Sequence, residues 1–158
     1  MSKETDNEFM AQAVDLSAEA LDDNVGGPFG AVVVSGGTVI GRGRNRVLAD
    51  KDPTAHAEML AIKAACRAVG DHRLKGCVVY TSSEPCPMCM AALYWARVDR
   101  VFYANLRSEA AAIGFDDEWL YVELASGDDR SLEMSRLSSD GARAVFDTWF
   151  ARKDRIPY

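Results

Sequence analysis

Basic residues are in short supply in this chain. Its 18 Lys and Arg stand against 24 Asp and Glu, for a formal net charge of −6 and a pI near 4.9. Affinity for a phosphate backbone requires clustered cations that displace counterions, so large nucleic acids are disfavoured as partners. Long apolar runs are missing too, and no stretch approaches the ~20 apolar residues of a membrane-spanning helix. With the polar start Met1-Ser2-Lys3-Glu4-Thr5-Asp6, this predicts a cytoplasmic protein. Cysteine is scarce, at 4 in 158 residues. In a reducing compartment, Cys66, Cys77, Cys86 and Cys89 read as core thiols, metal ligands or reactive groups before they read as disulfides. The remaining composition, 48% hydrophobic and 27% charged, is that of an ordinary globular domain. A chain of this length buries roughly two thirds of its unfolded surface and needs no staples. No repeat, low-complexity segment or linker divides it, so 1–158 reads as a single domain.

The hydrophobic pattern orders the elements. Phe9, Ala13, Leu16 and Ala20 recur at helical spacing, predicting an amphipathic helix over about 6–23 that Gly26-Gly27-Pro28 ends. Phe29 to Val34 and Thr38 to Gly41 form a hairpin around Ser35-Gly36-Gly37. A helix follows with Met59, Ile62, Cys66 and Val69 as its apolar stripe, stopped by Gly70. The order then becomes strand (Cys77 to Thr81), helix (Pro87 to Arg97) and strand (Arg100 to Ala104), a βαβ unit that requires a parallel pair. The whole predicts an α/β fold: a three-layer α/β/α sandwich with a mixed central sheet. Further on, Ser108 to Ile113 reads as a short helix, Gly114 to Asp117 as a turn, and Leu132 to Leu137 alternates like a strand. Ser138 or Ser139 caps a last helix with Ala142, Val145, Phe146, Trp149 and Phe150 on one face.

Chemistry concentrates in two segments, Pro53-Thr54-Ala55-His56-Ala57-Glu58 and Glu84-Pro85-Cys86-Pro87-Met88-Cys89. Two thiolates and one imidazole are good ligands for Zn²⁺, and three protein ligands leave the fourth tetrahedral position to a water, the composition of a catalytic site. Cys86 and Cys89, three apart at a helix start, point the same way, and the positive end of the helix favours their thiolates. Glu58 is the natural base to take a proton from the water and pass it to a leaving group. Residues two apart in a regular helix diverge, so His56 and Glu58 converge only at a first or irregular turn. Two other uses of these residues stay open: a structural zinc with Cys66, Cys77 or His72 as fourth ligand, and a metal-free Cys/His nucleophile pair.

The two halves match H-x-E followed by P-C-x-x-C, the signature of zinc nucleobase deaminases. With the fold order they resemble the cytidine deaminase-like superfamily, and nearly the whole chain resembles its bacterial guanine deaminase family. The likeness is carried by Gly26 to Ala31, Asp52 to Glu58, Tyr80-Thr81-Ser82, Glu84 to Cys89, Ala92, Tyr94-Trp95-Ala96-Arg97 and Gly114-Phe115-Asp116-Asp117. The resemblance implies zinc held by His56, Cys86 and Cys89, with Glu58 as proton shuttle. It implies Phe29 stacked on a purine base, Asn45 hydrogen-bonded to it, and Asp117 near its exocyclic amine as a contact and second proton relay. It also implies a C-terminal aromatic at an active site, here Tyr158, and a homodimer in which the segment of about 139–158 is exchanged. The tail Arg155 to Tyr158 and the stretch Leu124 to Ser139 depart from the family pattern. The expected activity is hydrolysis of guanine to xanthine and ammonia. Guanosine, cytosine, a triazine or tRNA adenosine are the rival substrates, and a non-catalytic zinc-binding module is the rival class.

Overall fold

The computed structural model describes residues 2–157, apart from the side chain of Asp128. They form two compact units, divided between Val122 and Glu123. In the first, α1 (Lys3–Asp22) starts at Ser2, whose hydroxyl accepts from the Thr5 N–H at 3.2 Å. Strands β1 (Gly30–Ser35) and β2 (Thr38–Arg44) form the antiparallel hairpin, turning through Gly36 and Gly37 with φ of 54° and 82°. Strand β3 (Cys77–Ser83) pairs antiparallel with β1, and β4 (Arg100–Asn105) pairs parallel with β3, giving the order β2-β1-β3-β4. Helices α2 (Val47–Asp50), α3 (Ala57–Val69), α4 (Pro87–Trp95) and α5 (Arg107–Ala112) complete this part of the chain, and α6 (Asp117–Ala125) begins in it. The mixed sheet lies between helical layers, as the element order predicts.

Alternation along β1 and β3 divides the core. Val32, Val34 and Tyr80 pack with Phe9 and Ala13 of α1, while Ala31, Val33 and Val79 pack with Ala57, Ala61 and Leu93 of α3 and α4. Of the expected stripe of Met59, Ile62, Cys66 and Val69, Ile62 and Cys66 pack partly buried against the core, but the fully buried face of α3 lies elsewhere. It is Ala57, Glu58, Ala61 and Ala65, with Val69 46% exposed. The reason is proximity. A Cβ on Gly43 would collide with the Ala57 carbonyl oxygen, and one on Gly41 with that of Ala61. A helix this close to the sheet has room only for alanine between them.

Two other sequence expectations differ from the structure. The Gly114 to Asp117 turn leads directly into α6, which was not anticipated. Leu132 to Leu137 forms no strand: alternation makes a strand only where a ladder partner exists, and the described residues of the second unit contain a short 3₁₀ turn and α7 (Asp140–Ala151) but no strand. Helix α7 starts at Ser139, whose hydroxyl accepts from the Ala142 N–H at 3.3 Å. No helix among the described residues is long and apolar enough to cross a membrane.

The two readings of α3 make opposite demands. Gly43→Ala is expected to lower unfolding free energy by about 1–3 kcal/mol, because the helix must be displaced. Val69→Ala should change it by less than about 0.5 kcal/mol. Urea unfolding midpoints compare them directly, and the reverse ranking would contradict this packing.

Candidate active site

Two helix starts meet at the end of the sheet. His56 is the residue before α3, with extended backbone (φ −72°, ψ 155°), and Glu58 is the second residue of the helix. The spacing problem is solved there: only one of the pair is helical. Cys86 stands in the same relation to α4 (φ −66°, ψ 168°), Pro87 begins that helix, and Cys89 lies in its first turn. Neither His56 nor Cys86 uses its side chain to cap its own helix. Instead His56 Nδ1 lies 3.6 Å from the sulfur of Cys86 and 3.6 Å from that of Cys89.

These distances fit a metal ion. Zinc bonded at ~2.3 Å to sulfur and ~2.0 Å to nitrogen makes tetrahedral N···S edges of about 3.5 Å. The three donor atoms lie within 4.8 Å of one another, and among the described residues no other side chain joins the group. Cys66 is engaged elsewhere, with its sulfur 3.6 Å from the His72 carbonyl oxygen, and Cys77 is buried in β3. A three-ligand set leaves one tetrahedral position open.

The charges around the group are tightly linked. Hydrogen bonding from Cys89, and then from His56, holds the Cys86 thiol down at about 4 despite its burial. The same pairing with Cys86, followed by burial, pushes the Cys89 thiol up. His56 is raised, chiefly by its hydrogen bond to Cys86. Glu58 is only 6% exposed, and burial raises its carboxyl. Burial, with the Cys86 charge adding to it, also raises Asp117.

His56, Glu58 and Cys86 line a cavity of about 650 Å³ together with Phe29, Asn45 and Asp117. Phe29 meets Phe115 edge-on, with centroids 4.8 Å apart and planes at 85°. Gly27 makes room for the pair, since a Cβ there would fall 2.7 Å from Phe29 and 2.8 Å from Phe115. Asn45 is buried, and its Oδ1 accepts from the N–H groups of Gly27 and Val47, both at 3.2 Å. The carbonyl side of that amide is therefore occupied, which leaves its NH₂ as the group to offer a ligand. The two adjacent acids divide by role. Asp116 accepts from the Trp119 N–H at 3.1 Å at the start of α6, and Asp117 lines the cavity. Tyr158 lies outside the described residues.

Residues 3–105 match the family model described as the cytidine and deoxycytidylate deaminase zinc-binding region. The chain belongs to that family. Within it, the sequence is 43% identical to guanine deaminase of Bacillus subtilis over 148 residues, 92% of this chain and 95% of that one. The X-ray structure of guanine deaminase from Bacillus subtilis superposes with a TM-score of 0.93 at 41% identity, covering 100% of this chain and 99% of the other. The likeness to a tRNA-specific adenosine deaminase of Aquifex aeolicus, 48% identical, is confined to 79 residues, 50% of this chain and 52% of the relative. A relative solved in complex with 8-azaguanine aligns at a TM-score of 0.66 and 34% identity, over 75% of this chain and 71% of that one. The family resemblance drawn from the motifs therefore holds, and zinc is the metal that its ligand set serves.

Two roles in the site were not among those expected from the sequence: Phe115 as a cavity residue and Asp116 as a helix cap. The second was detectable, because an Asp three residues before Trp119 is a capping spacing. The cavity role of Phe115 depends on its tertiary contact with Phe29 and has no local signal.

Metal uptake should depend on pH in a calculable direction. Without metal, Cys86 is a thiolate, Cys89 carries its proton, and His56 is protonated to a higher pH than usual. Zinc takes two thiolates and a neutral imidazole, so binding releases about one proton at high pH and a second as pH falls into the His56 range. Affinity must drop as pH drops. Calorimetry in buffers of different ionisation enthalpy measures the proton count, and pH-independent binding without proton release would refute the ligand assignment.

Proposed function

We propose that this chain is a zinc-dependent hydrolytic deaminase whose substrate is free guanine, with xanthine and ammonia as products. The observation that carries the reading is the pairing, around one cavity beside the His56/Cys86/Cys89 group, of an amide that can only donate with a carboxyl that can accept. Guanine carries ring and carbonyl acceptors together with N–H donors at N1 and on its C2 amine, and a buried unpaired polar group would penalise a base that lacks them. The relatives named guanine deaminase and the purine-analogue complex support the same substrate class.

Bound zinc supplies the Lewis acidity that brings a water's pKa toward neutrality. The rest of the work falls to side chains. Glu58, made more basic by burial, accepts a proton from the water as its oxygen adds to C2 of the base. It delivers that proton to the adjacent ring nitrogen and then assists departure of the amine as ammonia. Phe29 stacks on the base, and Asn45 donates to one of its acceptors. Asp117 accepts from the N–H groups near the amine and relays a second proton. The charge of −6 suits a small neutral substrate better than RNA.

We also propose a cytoplasmic homodimer in which the segment of about 139–158, including Tyr158, is exchanged. Helix α7 buries none of its residues, and its Val145, Phe146 and Phe150 are 66%, 75% and 74% exposed. An apolar face of that kind calls for a covering surface. Sedimentation should give twice the 17.2 kDa chain mass, and replacing Phe146 and Phe150 by Ser should yield monomers. A monomeric parent protein would exclude the exchange.

Ammonia release across guanine, guanosine, cytosine, a triazine and an RNA stem-loop tests the substrate. Guanine should give the highest kcat/KM, and a preference for guanosine or RNA would overturn the reading. Glu58→Gln should retain zinc and lose about 10²–10⁴ in kcat. Near-normal turnover in that metal-replete variant would refute the proton shuttle. Asp117→Asn should cost guanine about ten- to a hundredfold in kcat/KM, while inhibition by hypoxanthine, which lacks the C2 amine, changes less.

A further inference from the structure

We propose that Tyr121 is a positioning residue for Asp117, tying the helix that carries this acid to the loop that carries Cys86. The inference rests on the proposed role of Asp117 in contacting the base. Asp117 and Tyr121 are four residues apart in α6, so their side chains lie on one helical face, one above the other. That helix has no buried residue. No apolar core fixes it, and its placement depends on directional contacts.

Those contacts converge on Tyr121. Its hydroxyl donates to the Pro85 carbonyl oxygen at 3.0 Å, and Pro85 immediately precedes Cys86. The Arg107 guanidinium lies over the face of the same ring, 4.3 Å from its centroid. Arg107 is itself anchored on Glu84, the residue before Pro85: its backbone N–H donates to Oε2 at 3.1 Å, and its Nε lies 3.5 Å from Oε1. The Glu84 N–H in turn donates to the Asn105 carbonyl oxygen at 2.9 Å, at the end of β4. The phenol is therefore held by its edge and by its face, and both holds lead to the three residues Glu84, Pro85 and Cys86. Rotation or withdrawal of α6 would move Asp117 away from the metal group, and it would have to break the Tyr121 hydrogen bond first. The hydroxyl sets the distance between the acid and the metal-binding loop, although it touches neither metal nor base.

Tyr121→Phe removes this bond and keeps the ring under Arg107. The variant should hold zinc at the parent stoichiometry, and kcat/KM for guanine should fall about five- to tenfold. Combined with Asp117→Asn, the same substitution should cost less than about twofold, because a residue acting through Asp117 has nothing left to position. Hydrogen exchange of the zinc-loaded protein provides a readout that needs no substrate: the amides of α6 should exchange faster in Tyr121→Phe while those of β3 stay unchanged. Equal losses in both backgrounds would overturn the proposal, and so would unaltered exchange in α6. If the parent protein released no ammonia from guanine, the substrate reading would fail, and the exchange comparison would still decide whether Tyr121 fixes α6.

Discussion

The close seating of α3 on β2 is the constraint from which the site follows. With no side chain at Gly41 or Gly43, the helix backbone lies directly on the sheet, and its first turn arrives beside the end of β2. This places His56 and Glu58 at one edge of the cavity that Asn45 enters as the residue after that strand. A longer strand residue would hold the helix away and separate the metal-binding imidazole from the two cysteines at the start of α4. The alanine face of α3 and the glycine face of β2 are therefore functional requirements expressed as packing. Dense interiors transmit small displacements, which is why a methyl group at the far side of a helix can matter to chemistry at its end.

Electrostatics then divides labour among groups of similar type. Two cysteines three residues apart, Cys86 and Cys89, differ sharply in proton affinity, because one donates to the other and only one charge is tolerated without a cation. Zinc held by His56, Cys86 and Cys89 would remove that asymmetry, with Glu58 as the buried acid beside it. Burial raises both carboxyls of the cavity, Glu58 and Asp117, so each holds a proton more readily than a solvated acid does. Asn45 is treated in the opposite way. Its oxygen is saturated by two backbone donors, so the amide is locked in one orientation before any ligand arrives.

Much of this was legible from the chain alone, for a physical reason. His56, Glu58, Cys86 and Cys89 act through short-range spacing at helix starts, and such spacing survives as a readable pattern. The mixed sheet was legible because β1, β3 and β4 are apolar runs bounded by turns. The α3 stripe was only partly legible, with Ile62 and Cys66 at the edge of the core, because periodicity rewards large side chains whereas the closest contact is made by alanines. Helix α6 was missed because it buries nothing and so leaves no apolar stripe to detect. The pairing of Phe29 with Phe115 and the link from Tyr121 to Pro85 join residues 86 and 36 positions apart, and no local rule anticipates either.

Helices α3 and α4 begin at His56 and Cys86, residues that occupy the capping position without performing the cap. In most helices a Ser, Thr, Asp or Asn there would satisfy a free N–H, a contribution of roughly 1 kcal/mol for each helix start. This molecule forgoes that local stability at two places and gives both capping positions to metal-binding side chains. Scarcity of metal would thus be felt first as fraying of two helices at the rim of the cavity, exposing backbone to proteases.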